Sequence, residues 1–426
     1  MWLIEWILSG WTLLALAWWI YALRLVRRRE TAAIASVDPS GTGTEESLPV
    51  TIFKPLCALR TPAPPPELVA ALESFITETG STTEVLFGLE QQDAAAWQPV
   101  FEDWRQRYPE ARFTVVCQPR PATFRSPKSS WWHALAKRAQ GRLWLWSDAD
   151  MIAVPGTVTT LCYEHATMRA GLVTCPYVIR RVPVRPMWLE ALFVNVEFYP
   201  GVLACRVWDQ PTFAFGAAML FTEKHFQKHL RWDELGARMA EDNLLGRQLA
   251  PVHISSVTLE TLAAETRWID AILHYLRWHK TVRWCRPAGY AAELIITPVL
   301  GWLLVTLWHP TAGGLWAGLG LTVLLEALGA SQLCARVGCI ARRRDAVVLL
   351  GWSLLRAVTW LACWLPWPVV FRSQRKIWWS LHRCSGPLAN PIADLTLEKI
   401  DSRIPASSED DLDAKACHSN SNRAQL

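Results

Sequence analysis

The chain has 426 residues, 51% hydrophobic and 19% charged, and its 43 basic against 38 acidic side chains give a net charge of +5. It has no glycine period, no sustained heptads and no highly charged, apolar-poor composition, which excludes collagen, a coiled coil and wholesale disorder. Its basic residues crowd beside apolar runs, which argues against a nucleic-acid partner. The 11 cysteines form no CxxC pair, so we expect reduced thiols facing the cytosol.

Residues 1–29 are predicted to form a transmembrane signal anchor. Residues 2–22 are apolar apart from Glu5, and a cluster of four arginines follows between positions 24 and 29. Because the basic cluster follows the apolar run, the pattern indicates a retained anchor rather than a cleaved signal peptide. The positive-inside rule then places these arginines, and the segment after them, in the cytosol.

A second membrane region is predicted over residues 287–372, which contain three apolar runs, 287–308, 315–335 and 346–371. Basic residues precede the first run and follow the second, so these two runs are predicted to form a hairpin with its short loop outside. The third run contains Arg356 and two prolines. Whether this run crosses the bilayer or re-enters it stays open at this point.

Each apolar run carries one ionisable side chain: Glu5, Glu293, Glu326 and Arg356. Charges inside a membrane are functional candidates, although one per helix is tolerable at about 2.5–3.5 kcal/mol. A structural pair, for example Glu326 with Arg356, is the interpretation we favour.

Residues 49–286 are predicted to form one cytosolic α/β domain after a small, polar linker at 30–48. The extended runs are 49–56, 83–90, 112–119, 142–150 and 171–179, and the helical stretches between them are 67–78, 93–107, 131–140 and 157–169. Strands that alternate with helices indicate a mostly parallel sheet, whose ligands bind at the carboxyl ends of the strands. The tail at 373–426 is polar without periodicity and is predicted to be disordered.

Two carboxylates, Asp148 and Asp150, come directly after the apolar run RLWLW. A strand would deliver both to the ligand-binding edge of the sheet, where they suit a divalent cation that bridges a diphosphate. A solvated turn is the alternative, since a DxD string alone is common.

A second acidic spot, Glu241 and Asp242, opens a helical stretch, where acids usually serve the helix dipole. Further on, His274, Arg277 and Trp278 precede the second membrane region, where an Arg beside a Trp is also typical of an interfacial anchor. The order of these pieces along one chain is rarer than any piece alone.

Residues 187–208 are apolar and aromatic but interrupted by Glu190, Glu197 and Pro200. They are too broken to predict a membrane span. An interfacial element that seats the domain on the bilayer and a buried core helix both fit the pattern.

The constellation resembles the ceramide glucosyltransferase family of GT-A type lipid glycosyltransferases, including its bacterial hopanoid-linked relatives. The resemblance covers most of residues 1–385. Its pieces are VTIFKPLCAL, VLFGLE, SPKSSWWHAL, WSDADM, GLVTCPYV, FAFGAAMLF, MAEDNLL and LRW. The family combines a series of aspartates with a (Q/R)xxRW box before membrane helices.

The resemblance implies a role for each matching residue. Asp148 and Asp150 match the carboxylates that hold the metal, Mg²⁺ or Mn²⁺, and Asp148 also contacts the nucleotide-sugar. Asp242 matches the catalytic base. The nucleotide-sugar site would further include Lys54, Lys128, Arg277 and Trp278, the last two being the end of the box.

Two positions depart from the family pattern. Gln91 falls where the family has its first aspartate, so Glu90 or Asp93 is the substitute expected at the nucleoside. His274 stands at the first position of the box, where the family has Gln or Arg. Histidine donates hydrogen bonds but is largely uncharged at pH 7, which makes any phosphate contact weaker or pH-dependent.

Taken together, the sequence predicts a Rossmann-like GT-A domain between N-terminal and C-terminal transmembrane helices. The implied activity is inverting transfer of a sugar, glucose first among the candidates, from a UDP-sugar to a hydroxyl of ceramide or a related membrane lipid. The domain would face the cytosol at a bacterial inner membrane, or at the Golgi or endoplasmic reticulum in a eukaryote. The alternatives are a processive polysaccharide synthase and a non-catalytic membrane protein on a decayed transferase fold.

Overall fold

The computed structural model describes residues 2–35, 48–56, 64–124, 126–208, 211–238, 240–365, 369–373 and 376–380. Most of the predicted linker and nearly all of the predicted polar tail lie outside these ranges. The first helix continues past the arginine cluster to Ala35. Its last residues, ETAAIA, are rich in alanine, which has the highest helix propensity.

The described ranges form fifteen α-helices and twelve strands. The helices are α1 (Trp2–Ala35), α2 (Pro66–Ile76), α3 (Ala94–Arg107), α4 (Pro127–Ala136), α5 (Thr157–Thr167), α6 (Trp188–Leu192), α7 (Tyr199–Trp208), α8 (Glu223–His229), α9 (Trp232–Gly236), α10 (Glu241–Gln248), α11 (Trp268–Cys285), α12 (Pro287–Ala292), α13 (Pro298–Trp308), α14 (Gly313–Arg336) and α15 (Ala346–Ala362). The strands are β1 (Val50–Leu56), β2 (Thr83–Glu90), β3 (Phe113–Gln118), β4 (Leu143–Ser147), β5 (Met151–Ile152), β6 (Leu172–Thr174), β7 (Tyr177–Val178), β8 (Ala218–Thr222), β9 (Val252–Ile254), β10 (Leu259–Thr261), β11 (Val369–Ser373) and β12 (Lys376–Ser380). The alternation predicted for residues 49–179 is confirmed.

The main sheet has seven strands in the order β3-β2-β1-β4-β8-β6-β9. Strands β1 to β4 are mutually parallel where they pair, and β8 is antiparallel to both of its neighbours. All residues of β1, β2 and β4 are buried, as expected for parallel strands covered on both faces. The parallel register brings the carboxyl ends of β1, β2 and β4 to one edge, next to Asp148.

Alternate residues of the central strands supply two separate cores. On one face, Ile52, Phe87 and Leu145 pack with apolar side chains of α2 and α3. On the other face, Phe53 and Trp146 pack with α4 and α8. The period of two that governs strands therefore builds a layer of helices on each side of the sheet.

The run predicted as one strand over 171–179 is divided between two sheets. Its first half is β6 of the main sheet, and its second half is β7 of a three-stranded sheet with order β5-β10-β7. Pro176 lies between the halves, and proline cannot donate a hydrogen bond to a strand ladder. The smaller sheet also holds β5, which begins directly after Asp150.

Among the described residues, three helices are long and apolar enough to cross a membrane: Trp2–Glu30 within α1, Gly313–Arg336, and Arg343–Ala362, which includes α15. A fourth candidate is the pair Pro287–Ile296 and Pro298–Trp308, which is bent by 66°. The predicted apolar run 287–308 is therefore broken near its middle, and the last helix ends at Ala362, before the end of the predicted run 346–371.

Side chains from neighbouring helices donate hydrogen bonds to the residues at the break of this bent pair. Arg356 donates hydrogen bonds to the carbonyl of Ile296 and, over 2.8 Å, to the hydroxyl of Thr297. The indole nitrogen of Trp11 donates to the carbonyl of Ile295 over 2.8 Å. Since unsatisfied carbonyls are costly away from water, this geometry gives Arg356 a structural role at the break. These bonds do not involve Glu326, the partner suggested from the sequence, whose carboxylate oxygens are buried without a hydrogen-bond partner among the described residues.

Residues 187–208 form helix α6, a π-helical stretch over Phe193–Phe198 and helix α7. Residues 187–196 are buried throughout, and the segment packs in one core with residues of α1, α11, α14 and α15. The segment thus joins the α/β domain to the apolar helices. Its location at a membrane surface stays a prediction.

Candidate active site

A buried lysine fixes the end of strand β4. The side chain of Lys54 on β1 is fully buried, and its ammonium donates to Ser147 Oγ over 2.9 Å and to the Asp148 carbonyl over 2.7 Å. The same ammonium lies 3.3 Å from the centre of the Phe75 ring. Burial sets the pKa of Lys54 well below its usual range, although Asp150 and Asp148 oppose this shift. Lys54 therefore holds the turn that carries the two aspartates.

The first aspartate of the turn forms an ion pair with Lys128 Nζ, through Asp148 Oδ1. Lys128 lies in the first turn of α4, which Ser126 caps by accepting a hydrogen bond from Ser129 N. Burial alone lowers the pKa of Lys128, but the charges of Asp148, Glu241 and Asp242 raise it overall. One cation thus faces three carboxylates, because α4 and α10 begin on the same side of the sheet.

Glycine 216 brings the predicted base next to this ion pair. Its N–H donates to Asp242 Oδ2 over 3.2 Å, and the other carboxylate oxygen accepts from Asn243 N over 2.8 Å. A β-carbon at Gly216 would lie 3.0 Å from Lys128 Nζ, 3.3 Å from Asp148 Oδ2 and 3.8 Å from Asp242 Oδ2. The absence of a side chain there leaves room in which these three charged groups converge.

Burial raises the pKa of three acids in this cluster. The pKa of Asp150 rises to about 6 through burial and the nearby charge of Asp148. Burial raises the pKa of Glu241 to about 7 and also raises that of Asp242, with Lys128 opposing both shifts. Glu241 accepts a hydrogen bond from Ser126 Oγ over 3.1 Å. Glu241 thus belongs to the same cluster as Asp242, since both acids act on Lys128.

The substitutes expected for the missing first aspartate lie at the end of β2. Glu90 is buried and accepts from Arg120 Nε over 2.7 Å. Asp93 lies half-buried one short 3₁₀ turn later, and burial followed by the charge of Glu90 raises its pKa. Both acids lie at the same sheet edge as Asp148, because β2 and β4 are both parallel to β1.

The three residues of the box lie on α11, and the described contacts of two of them are with residues other than the aspartates. His274 Nδ1 lies 2.8 Å from Glu190 Oε1 and 3.3 Å from Glu265 Oε1. The ring of Trp278 stacks on Phe193 at 4.7 Å between centroids. Arg277, between them on the same helix, is half-buried.

Several residues of the site were missed by reasoning from the sequence. Gly216 lies in FAFGAAMLF, a piece that resembles the family, yet nothing in its local pattern predicts a convergence of charges. Tyr177 was also missed, and its pKa is raised by burial and then by the charges of Asp242, Asp148 and Asp150. Ser126 could have been found from the sequence, since Ser-Pro before an apolar run is typical of a helix start.

Comparison with protein families decides the relationship. The model of glycosyl transferase family 21 matches residues 9–379. The chain belongs to glycosyl transferase family 21. This confirms the resemblance to the ceramide glucosyltransferase-like family, and membership supports glycosyl transfer as the activity of this family 21 chain.

The other comparisons add little about this family 21 chain. None of the curated proteins matches its sequence. Among solved structures, it is similar to a mannosyltransferase, PcManGT, from Pyrobaculum calidifontis, in complex with GDP-Man and Mn²⁺. The identity is 15% and the TM-score 0.42, over 84% of this chain and 97% of that chain. A likeness this distant says nothing about the donor or acceptor here.

Replacing Gly216 by alanine should separate the charges of the cluster. The new β-carbon would approach Lys128 Nζ and Asp148 Oδ2 more closely than most side chains tolerate, so we expect Gly216→Ala to lose at least about tenfold in glycosyl transfer through misplaced groups. Transfer rates of purified protein measure this loss. Gly201→Ala is the control, since nothing lies within 4 Å of its β-carbon. Equal rates for the two variants would contradict the role assigned to Gly216.

Proposed function

We propose that the chain is a membrane-bound inverting glycosyltransferase of GT-A type. It moves a sugar, glucose first among the candidates, from a UDP-sugar to a hydroxyl of ceramide or a related membrane lipid. The observation that carries the proposal is the convergence of Lys128, Asp148 and Asp242 around Gly216. Lys128 and the carboxylate pair Asp148 and Asp150 suit a diphosphate leaving group. The separate carboxylate of Asp242 suits an acceptor hydroxyl next to it.

The residues at the end of β4 fit a divalent cation. Asp148 and Asp150 offer carboxylate oxygens only, which are the ligands that Mg²⁺ and Mn²⁺ prefer. Lys54 fixes the turn that carries them, by donating to Ser147 Oγ and to the Asp148 carbonyl. When bound there, the cation supplies positive charge that stabilises the leaving diphosphate.

The chain's own residues would bind and orient the donor. Glu90 and Asp93, at the end of β2, are proposed to contact the nucleoside. Lys128 would exchange part of its contact with Asp148 for the diphosphate, since a lysine is a flexible point charge. Arg277 and Trp278 are proposed to complete the donor site from α11. His274 is assigned a different role below.

Asp242 is proposed to act as the general base. Its carboxylate is held by the N–H groups of Gly216 and Asn243, and burial raises its pKa, which favours taking a proton. The acceptor oxygen forms its bond to the anomeric carbon as the bond to the diphosphate oxygen breaks, and the hydroxyl proton moves to Asp242. One such displacement inverts the anomeric centre.

The apolar helices support a lipid acceptor. Large apolar side chains are exposed along all three candidate spans, which is expected of surfaces that face lipid: Trp2, Trp6 and Leu13 on α1, Leu321 and Leu328 on α14, and Val358 and Leu361 on α15. Helix α6 and the π-helical stretch pack between these helices and the α/β domain. An acceptor held at this junction would reach the sheet edge without leaving the bilayer.

Incubation with labelled UDP-sugars tests the function itself. Purified protein in lipid should transfer label from UDP-glucose, UDP-N-acetylglucosamine or UDP-galactose to a lipid that mass spectrometry identifies. A labelled polymer would instead indicate a processive synthase. Neither transfer nor hydrolysis by folded protein would indicate a non-catalytic chain.

Asp242→Asn tests the base. Asparagine keeps the shape and one of the two N–H contacts, since its amide oxygen accepts but its amide nitrogen does not. It cannot take a proton, so we expect transfer to fall by roughly 10²-fold or more. UDP binding, measured by calorimetry, should remain. Asp233→Asn is the matched control, because Asp233 is exposed and pairs with Arg231. Near-normal transfer by Asp242→Asn would leave Asp242 with a helix-dipole role only.

The proposed topology places the block from Arg24 to Arg286 in the cytosol. Cys117 is exposed and Cys285 is buried, so Cys117 is the informative thiol. An impermeant maleimide should label the peptide containing Cys117 only after lysis, as read by mass spectrometry. Thr311→Cys, in the loop between α13 and α14, should react in intact cells. Labelling of Cys117 in intact cells would overturn the topology.

A further inference from the structure

Three metal-ligating side chains other than the aspartates of the candidate active site lie close to one another. Glu190 lies on α6, Glu265 lies between β10 and α11, and His274 lies on α11. Their ligating atoms all lie within 4.8 Å of one another. The two glutamates are buried, at 2% and 6% exposure. Among the residues that the structure describes, no other group of three His, Cys, Asp or Glu side chains brings its ligating atoms this close together.

The carboxylate of Glu190 is held in place before any ligand arrives. Its Oε2 accepts hydrogen bonds from Ala264 N over 2.7 Å and from Glu265 N over 3.1 Å. The other oxygen, Oε1, is thereby turned toward Glu265 and His274. Such outer hydrogen bonds to a ligand carboxylate are the usual support of a metal site.

The imidazole of His274 lies beside the carboxylates but does not form a directed hydrogen bond to them. Its Nδ1 is buried and lies 2.8 Å and 3.3 Å from two carboxylate oxygens, yet it has no hydrogen-bond partner of acceptable geometry. A hydrogen bond requires the N–H to point at its acceptor. Ligands of one cation instead lie side by side, about 3 to 3.5 Å apart for bonds of roughly 2.0–2.2 Å.

We infer that Glu190, Glu265 and His274 form a binding site for a zinc ion. One imidazole nitrogen with two carboxylates is a donor set that Zn²⁺ accepts, and it leaves a fourth position for water. The aspartates at the end of β4 offer oxygen alone, which suits Mg²⁺ or Mn²⁺. The site also gives a physical meaning to the histidine that replaces the family's Gln or Arg.

The zinc ion would fix α11 against α6. Glu190 and His274 would be tied directly, one turn before Trp278, whose ring packs against both His274 and Phe193. The ion would thereby set the position of Arg277 on the same helix. This last consequence rests on the proposed function, whereas the zinc site itself does not.

Metal content of the full chain tests the site without measuring transfer. Protein purified in detergent without a polyhistidine tag should contain about one zinc ion per chain. His274→Gln, which restores a family residue, and Glu265→Gln should each lose this zinc, whereas Asp150→Asn should keep it. No zinc in the wild type, and no saturable Zn²⁺ binding after chelation, would overturn the inference, as would zinc retained by both variants.

X-ray absorption of the zinc-loaded wild type decides the case if a variant fails to fold. An imidazole in the shell around zinc supports the site, and a shell of oxygen atoms alone overturns it. Zinc bound here by a protein that transfers no sugar would refute the proposed function and leave the site standing. Sugar transfer by a protein that binds no zinc would refute the zinc site and leave the proposed function standing.

Discussion

The buried ammonium of Lys54 is the constraint on which the candidate site depends. A lysine is rarely buried in full, and here the charge is satisfied by one hydroxyl, one backbone carbonyl and the face of Phe75. Ser147 and Asp148 lie at the end of β4 and Phe75 lies on α2, so the lysine on β1 ties this turn to a neighbouring strand and to a helix of the core. The position of Asp148 and Asp150 is therefore set by the core of the domain rather than by their own loop.

The charges of the site are not balanced. Lys128 faces Asp148, Glu241 and Asp242, so the cluster carries an excess of negative charge in a partly buried place. Such an arrangement is costly for stability, because burial disfavours the charged form of each acid. It is also suited to cationic ligands and to proton transfer, and strongly perturbed acids in a cleft are typical of functional sites.

A buried polar network connects α11 with the apolar helices. Glu197, in the π-helical stretch, accepts from Tyr275 over 2.5 Å and from the indole of Trp352 over 3.1 Å, and it lies 3.2 Å from His279 Nε2. Tyr275 and His279 belong to α11, and Trp352 belongs to α15. Directed bonds of this kind fix one arrangement of packed helices. The helix that carries Arg277 and Trp278 is thus positioned jointly by the α/β domain and the apolar region.

The sequence by itself predicted the alternation of strands and helices over residues 49–179, the α/β class and the membrane-like runs, although not where each run breaks. The apolar runs of β1, β2 and β4 and the turn residues between them are local signals, and the position of Asp148 and Asp150 follows from the end of one strand. Only the tertiary structure decided which distant groups meet. Asp242 and Lys128 converge at Gly216, and His274 lies beside Glu190. No local pattern predicts these contacts, because they link residues tens of positions apart. The fully buried state of Lys54 and the break near Thr297 likewise depend on neighbours that no local pattern specifies.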